Sequence, residues 1–293
     1  RGLGDVYKRQ GYKGDVGLDI NCIMANHKIP FNFPDDVIKA SKKIDTFIHE
    51  DPARWDLRDS QMVTIDGEDA KDLDDAVSGR KLPNGNYELG VHIADVSHYV
   101  VSGQAIDNEA YKRGTSVYLV DRVVPMLPEV LSNGICSLNA HEDRYAMTCM
   151  MEIDKDGKVV NYRIRPSIIH VGRRCSYKEV YKALEENIIP HDLQDFMPML
   201  HDLAEISKIL NRMRRRRGAL DFDFPEYKVL LDHDGTPLRI VKRDRTMAER
   251  LIEECMLIAN ETVATHLEHT HRTSVYRIHE NPCLLYTSPS PRD

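Results

Sequence analysis

Residues 64–76 read TIDGEDAKDLDDA, and six of them, spread from Asp66 to Asp75, are carboxylic acids. Apolar residues alternate with a polar one just before Asp66, which predicts a short strand that ends there. Gly67 then allows a sharp turn, because glycine adopts backbone angles that are closed to other residues. The turn is expected to bring the carboxylate at the strand end back towards three loop carboxylates, those of Asp72, Asp74 and Asp75.

A cluster of this density has two interpretations. Carboxylates that lie close together repel one another and raise one another's pKa unless a cation lies among them. Hard oxygen ligands at irregular spacing suit Mg²⁺, with Mn²⁺ as an alternative, whereas the spacing does not fit the calcium loop of an EF-hand. The other interpretation is a solvated acidic loop without a ligand, which is the usual state of a run of charges. Acid density alone leaves both open.

Length and composition exclude several classes of protein. The 293 residues suffice for one large domain or two small ones. Forty-seven acids oppose 40 bases, a net charge of −7, so nucleic-acid binding cannot be argued from net charge. The six cysteines form no C-x-x-C pair, which fits a reducing cytosol better than a disulfide framework or a zinc site. No run approaches the ~18 apolar residues of a membrane span, and no signal peptide is visible.

Turn signals divide the chain into strands and helices. Residues 83–86 (PNGN) predict a hairpin between strands at 76–82 and 87–96, and residues 154–157 (DKDG) predict a second one. His92 and His98 lie in or near the first of these hairpins, where hydrogen bonding is the ordinary role of a histidine and a metal or catalytic role is the alternative. Strands and helices alternate in blocks, which favours a mixed α+β domain over a doubly wound sheet.

Four helices are expected from capping and apolar periodicity. The first is predicted to start at Pro34 and to run to about Glu50, although Ser41 interrupts its apolar face. Capping boxes predict the starts of two more, formed by Ser176 with Glu179 and by Thr246 with Glu249. The remaining helix is predicted from about His191 to the four arginines at 214–217, with a kink or a break at Pro198.

The acidic stretch and several later segments resemble the ribonuclease II/R family in its RNB catalytic domain, and the ribonuclease R members resemble the chain most. The segments that carry the resemblance are residues 64–77, 90–99, 113–118, 124–128, 131–134 and 218–222. The resemblance covers roughly residues 11 to 282. It implies an RNB-type α+β fold with a mixed, largely antiparallel sheet and packed helices, truncated at the C-terminus.

The implied reaction is metal-dependent hydrolysis of RNA from the 3′ end to nucleoside 5′-monophosphates. Matching the family motif position by position assigns metal binding to Asp66, Asp72 and Asp75, and the catalytic step to Asp74 together with Asp72. Anionic carboxylates and an anionic substrate share a site only when cations such as Mg²⁺ lie between them. Glu68 and Asp69 are left to solvent or to orienting the loop.

Three residues are expected to bind RNA. Tyr118 matches the family's aromatic residue that stacks on the 3′-terminal base, and packing on the core is the alternative. Arg214 and Arg217 are expected to contact the RNA backbone. The alternative is a purely structural role, because cations at the C-terminus of a helix interact favourably with the helix dipole. Glu253 and Glu254 either face the RNA channel or lie on a helix surface, and the surface is the safer interpretation.

The resemblance also divides the chain into segments. Residues 1–10 and 283–293 resemble translated sequencing-adapter read-through, so we expect both ends to be non-native. Residues 11–50 are assigned to the end of a cold-shock region and a linker helix, and residues 51–282 to an incomplete RNB catalytic domain. The family carries a catalytic arginine motif and an OB-fold RNA-binding domain further downstream. The chain alone is therefore expected to show little or no exonuclease activity.

Two functions from different classes remain after these steps. The first is a metal-dependent 3′–5′ exoribonuclease, expected to be cytoplasmic and monomeric, without a membrane, with the 3′ end of single-stranded RNA as its partner. The second is a non-catalytic RNA-binding relative that has retained the RNB fold. An intact set of four aspartates favours the enzyme, and the chain carries all four.

Overall fold

The computed structural model describes residues 17–219, 226–233, 235–243 and 245–278. The predicted non-native ends lie outside these residues. The described part contains one large sheet, two small hairpins and helices on both faces of the sheet. The strands are β1 (Trp55–Leu57), β2 (Val63–Asp66), β3 (Asp75–Lys81), β4 (Tyr87–Ala94), β5 (Val117–Tyr118), β6 (Val123–Val124), β7 (Asp143–Ile153), β8 (Val159–His170), β9 (Arg173–Ser176), β10 (Glu226–Leu231) and β11 (Pro237–Arg243).

The large sheet has seven strands in the order β1-β8-β7-β4-β3-β2-β9. Its centre is antiparallel, and both predicted hairpins, β3–β4 and β7–β8, are confirmed there. The pairs at the two edges, β1 with β8 and β2 with β9, are parallel. This is the mixed, largely antiparallel sheet that the sequence predicts. Separately, β5 pairs with β6 and β10 pairs with β11.

Helices cover both faces of the sheet. They are α1 (Leu18–Asn26), α2 (Asp35–Ser41), α3 (Val96–Tyr99), α4 (Ala105–Arg113), α5 (Tyr177–Glu185), α6 (Met197–Arg216) and α7 (Met247–His269). Successive strand residues point to opposite faces, so Val77 packs in the core under α5–α7, whereas Ala76 packs in the core on the side of α2 and α4. None of the helices described is long and apolar enough to cross a membrane.

Close packing of α6 on β3 depends on Gly79. A methyl group at this position would lie 2.8 Å from Leu203 Cδ2, which is closer than carbon atoms approach in folded proteins. The missing side chain lets α6 lie directly on the strand that begins at Asp75. The position of that strand, and of the acid at its start, is thereby fixed by the core.

Most predicted helices are confirmed, and one is wrong in extent. Both capping boxes are present, and the predicted break near Pro198 is a 3₁₀ turn, His191–Phe196, that leads into α6. The helix predicted to reach Glu50 ends at Ser41 instead. Beyond it, the carboxylate of Asp45 accepts a hydrogen bond of 2.9 Å from the backbone N–H of Phe47. Such bonds give the backbone a partner outside a helix, which explains the early end.

Candidate active site

The backbone brings the two ends of the acidic stretch together. β2 ends at Asp66 and its antiparallel neighbour β3 starts at Asp75, so these two acids lie at the same end of adjacent strands. The predicted turn begins at Gly67, whose carbonyl accepts a bond of 3.1 Å from the N–H of Ala70, but its backbone does not adopt a positive φ. The antiparallel return of the chain, and not a special glycine conformation, places Asp66 near the later aspartates.

Hydrogen bonds fix the loop between the two strands. Leu73 is buried, and its N–H donates to Ser137 Oγ at 3.1 Å while its carbonyl accepts from the N–H of Leu138 at 2.8 Å. The carbonyl of Asp74 accepts a bond of 2.9 Å from the N–H of Ala94, at the end of β4. With Leu73 as a buried anchor, the neighbouring side chains of Asp72 and Asp74 are held at the end of the sheet.

Two of the four aspartates, Asp74 and Asp75, have a raised pKa. Burial, with the negative charges of Asp66 and Asp74, raises the pKa of Asp75 to about 6. Burial, with the charges of Asp72 and Asp66, also raises the pKa of Asp74. Both shifts reflect excess negative charge in a poorly solvated position, which a cation would relieve. Asp66, Asp72 and Asp75 therefore all lie within electrostatic range of Asp74.

The predicted metal site stays a prediction. The donor set consists of carboxylate oxygens, which are the ligands that Mg²⁺ and Mn²⁺ prefer. Within the described ranges, however, no group of three or more His, Cys, Asp or Glu side chains is arranged to hold a metal ion. The charge of the site fits a hard divalent cation, whereas a preformed ligand cage is absent from that part of the chain.

Tyr118 joins this acidic site through its hydroxyl group. Its Oη donates a hydrogen bond of 2.5 Å to Asp72 Oδ2, and this bond is the main reason why the pKa of Tyr118 is raised to about 12. The residue is 64% exposed, so the alternative of packing in the core is wrong. The sequence motif identified the residue but gave no sign of the contact with Asp72.

Basic residues fix the other side of the acidic loop. Arg174 on β9 donates from Nη2 to the carbonyl oxygens of Glu68 and Ala70, at 3.1 and 2.7 Å. Lys178 lies 3.5 Å from a Glu68 carboxylate oxygen, and Lys228 on β10 lies 2.5 Å from one of Asp69. The side chains of Glu68 and Asp69 stay largely exposed beside these lysines, so both roles that the sequence left open for them, contact with solvent and orientation of the loop, remain predictions. Sequence reasoning missed Arg174 and Lys228, which lie far along the chain from the acids.

A cleft of about 700 Å³ opens beside Asp66 and Tyr118. Its walls are the acidic loop, the start of α5 and the hairpin of β10 and β11. Two further tyrosines, Tyr177 and Tyr227, line it together with Lys178 and Lys228. The lining carries more acidic than basic side chains, and both lysines are paired with acids of the acidic loop. The exposed tyrosine rings offer stacking surfaces to a single-stranded nucleic acid.

The two arginines predicted to bind RNA lie outside this cleft. Arg214 Nη1 contacts Glu254 Oε1 at 2.9 Å, and Arg217 contacts Glu261 on the same helix, α7, at 2.8 Å. Neither arginine lines the cleft. Glu254 is 2% exposed, so the prediction that it lies on a helix surface is wrong. These contacts favour a structural role for both arginines, namely joining α6 to α7.

The two histidines make the hydrogen bonds that the ordinary interpretation expects. His92 is fully buried, with Nδ1 2.8 Å from Thr148 Oγ1 and Nε2 3.1 Å from Ser78 Oγ. His98 Nδ1 lies 3.3 Å from Arg54 Nη2, whose other contact is Asp95 at 2.8 Å. In the part of the chain that the structure describes, neither histidine belongs to a metal-binding group.

Comparison with known proteins places this geometry in a family. Residues 54–285 match the family described as "RNB domain". Ribonuclease R of Thermotoga maritima is 49% identical over 282 residues, which cover 94% of this chain and 40% of that protein. The chain thus spans about two-fifths of the length of this curated relative.

Solved structures match as well. A structure titled Mycoplasma genitalium RNase R in complex with ribose methylated single-stranded RNA has a TM-score of 0.85 and 34% identity, over 89% of this chain and 41% of that one. A structure of yeast Ssd1, described as a pseudonuclease, has a TM-score of 0.58 and 19% identity, over 74% of this chain and 26% of that one. The second likeness concerns the fold alone.

Proposed function

Because the chain belongs to the RNB-domain family, we propose that it is the catalytic part of a metal-dependent 3′–5′ exoribonuclease of the ribonuclease R type. The substrate is single-stranded RNA, and the products are nucleoside 5′-monophosphates. The observation that carries the proposal is the convergence of Asp66, Asp72, Asp74 and Asp75 beside an aromatic cleft. A cytoplasmic location and a monomeric state belong to the same proposal.

Each aspartate has a role in the proposed reaction. Asp66, Asp72 and Asp75 hold Mg²⁺, or Mn²⁺ in its place, whose chemistry at a phosphodiester is to lower the pKa of bound water and to balance charge on the phosphate oxygens. Asp74 orients the attacking water and accepts its proton.

Tyr118 binds the 3′-terminal base in this proposal. Its ring is largely exposed and lines the cleft, while the bond from its hydroxyl to Asp72 fixes its direction. Stacking of a base on an aromatic ring contributes about 1–3 kcal/mol and accepts every base. An enzyme that digests RNA of any sequence needs a contact of this kind.

A non-catalytic RNA-binding relative is the second candidate. The likeness to the pseudonuclease Ssd1 shows that related folds occur in a protein described without nuclease activity. Retention of all four aspartates, two of them with raised pKa values, favours the enzyme. A chain freed from catalysis has no need to hold four mutually repelling carboxylates at one place.

The test replaces the matching segment of Thermotoga maritima ribonuclease R with residues 54–282 of this chain. We expect Asp74→Asn to lower single-turnover RNA cleavage in Mg²⁺ by at least about 100-fold, the scale for losing one catalytic group. RNA affinity should hold or improve, because one negative charge leaves a site that binds a polyanion. Glu68→Gln is the matched control and should cleave normally.

Equal cleavage by the Asp74→Asn and Glu68→Gln chimeras would contradict the role of Asp74. A parallel loss of affinity in Asp74→Asn would show that the site had collapsed. An unsubstituted chimera that binds RNA without cleaving it, with or without added Mg²⁺ or Mn²⁺, would favour the non-catalytic candidate.

A further inference from the structure

A second cavity, of about 250 Å³, lies between the segment that follows α1 and the end of α4. Its lining includes four residues with basic side chains, His27, Lys28, Lys112 and Arg113. No acidic residue is among the described residues that line it. In a chain whose net charge is −7, this is a local concentration of positive charge, and a concave site focuses such a field.

Arg113 builds the cavity. Its side chain is 3% exposed and is paired with Glu109 at 2.9 Å. It also donates to the backbone oxygen of Asn32 at 2.8 Å, and its guanidinium lies 3.8 Å from the centre of the Phe33 ring. These contacts hold the segment after α1 against the end of α4. Since the charge of Arg113 is already balanced, its function here is to place the two lysines beside the same cavity.

The two lysines carry charge that no described residue compensates. Lys28 and Lys112 are exposed, and neither side chain forms an ion pair or a hydrogen bond with any residue that the structure describes. Lys28 has a φ of 56°, a conformation uncommon for residues other than glycine. Two unpaired ammonium groups at the mouth of one cavity suit a doubly coordinated anion such as a phosphate diester.

The cavity lies directly behind the proposed active site. Val117 lines it, whereas the next residue, Tyr118, lines the cleft and contacts Asp72. Both belong to β5, in which successive side chains point to opposite faces. The cleft and the cavity are therefore neighbours, separated by this strand of two residues.

We infer that Lys28 and Lys112 bind a backbone phosphate of the substrate RNA, upstream of the 3′-terminal nucleotide. The inference rests on the proposed function and adds to it a contact that positions the strand without reading its sequence. Lysine contacts with phosphate are independent of sequence and sensitive to salt. A released nucleoside 5′-monophosphate offers the same phosphate chemistry, and the experiment separates the two ligands.

The experiment measures binding of a short 5′-fluorescein-labelled oligo(A) to the 293-residue chain by fluorescence anisotropy at several salt concentrations. The variant is Lys28→Gln/Lys112→Gln, and the control with the same change of charge is Lys155→Gln/Lys208→Gln. We expect about tenfold weaker binding in the first variant. The slope of log affinity against log salt concentration should become shallower by about 0.7 for each phosphate that the protein no longer neutralises. The control and the charge-retaining Lys28→Arg/Lys112→Arg variant should bind like the unsubstituted chain.

A series of oligonucleotides with a single methylphosphonate linkage locates the bound phosphate. In the unsubstituted chain one linkage should weaken binding, and in Lys28→Gln/Lys112→Gln the same linkage should have no further effect. Equal affinities and salt slopes for the variant and the control would overturn the inference and leave the proposed function standing. Binding of adenosine 5′-monophosphate that requires the lysines, with RNA binding unchanged, would also overturn it. A chain that binds no RNA would overturn the inference, and cleavage by the chimera decides the proposed function separately.

Discussion

Tyr118 combines a ring that lines the cleft with a hydroxyl that contacts Asp72, so its two parts can be tested separately. In the chimera, Tyr118→Ala should change the length of the final undegraded oligonucleotide, because the stacking surface is removed while cleavage persists. Tyr118→Phe keeps the ring and should give the same final length as the unsubstituted chimera. Denaturing gel electrophoresis of the end products measures both. An unchanged ladder for Tyr118→Ala would refute stacking as its role.

His92 makes the stability of the protein sensitive to acid. Burial lowers its pKa to about 4, from an ordinary value near 6.5. The unfolded chain therefore binds the proton more readily, so the stability contributed by neutral His92 is complete above about pH 6.5 and is lost as the pH falls towards 4.

We expect this histidine to reduce the free energy of unfolding by about 3 kcal/mol between pH 7 and pH 4. Asp75 acts in the opposite direction, because its pKa is raised to about 6. The difference in unfolding free energy between the unsubstituted chain and His92→Asn isolates the histidine, and urea titrations at several pH values measure it. The exposed His191→Gln is the control. A difference that does not change with pH would contradict the assignment to His92.

At the scale of elements, the contact between α6 and α7 offers a matched pair of substitutions. Arg214 neutralises the buried Glu254, whereas Arg217 pairs with Glu261 on the surface. Arg214→Ala should lower the free energy of unfolding by about 3 kcal/mol, because it leaves a buried carboxylate without its charge partner. Arg217→Ala should cost less than about 1 kcal/mol. Urea unfolding measures both, and RNA affinity should change in neither.

Loss of RNA affinity in Arg217→Ala without loss of stability would instead support the prediction that this arginine contacts the RNA backbone. Equal costs for the two substitutions would mean that Glu254 is better solvated than its 2% exposure indicates.

Local signals account for the elements that the sequence predicts well. The capping boxes at Ser176 and Thr246 act within four residues, so the sequence shows both partners. The prediction of a helix that reaches Glu50 is wrong, and it was made because the apolar spacing continues past Ser41. Asp45 bonds to the backbone of Phe47 and stabilises another conformation there. The spacing of apolar residues does not show that a side chain competes with the helix for a backbone hydrogen bond.

The candidate site also has a part that local sequence signals predict and a part that they do not. The four aspartates are contiguous enough for a motif to identify them. The partners of the acidic stretch come from distant segments, as when Tyr118 bonds to Asp72 and Lys228 bonds to Asp69. No spacing rule connects residues that only the packing of a hairpin on a loop brings together. Arg214 shows the converse, because a run of basic residues looks free in the sequence until a buried glutamate on another helix neutralises it.

At the scale of the whole molecule, the activity to expect from the chain depends on how much of its relatives' length it covers. The 293 residues span 40% of Thermotoga maritima ribonuclease R. Phosphodiester hydrolysis needs positioned cationic groups around the phosphate, and the family resemblance places a catalytic arginine motif further downstream. We therefore expect the chain alone to release little or no nucleoside monophosphate in Mg²⁺, whereas the chimera releases it readily. Chromatography of the products compares them, and robust release by the chain alone would contradict this expectation.

The parallel edge pairs of the sheet determine when the site is completed during synthesis. β2 has a single register pair with β3, Val63 with Val77, but four with β9, from Val63 with Arg173 to Asp66 with Ser176. The ribosome adds the roughly 110 residues between these strands in about 5–20 s. Throughout that time Asp66 lacks its register partner Ser176. The edge of the sheet that carries the first acid of the cluster is therefore completed only after β9 has left the ribosome.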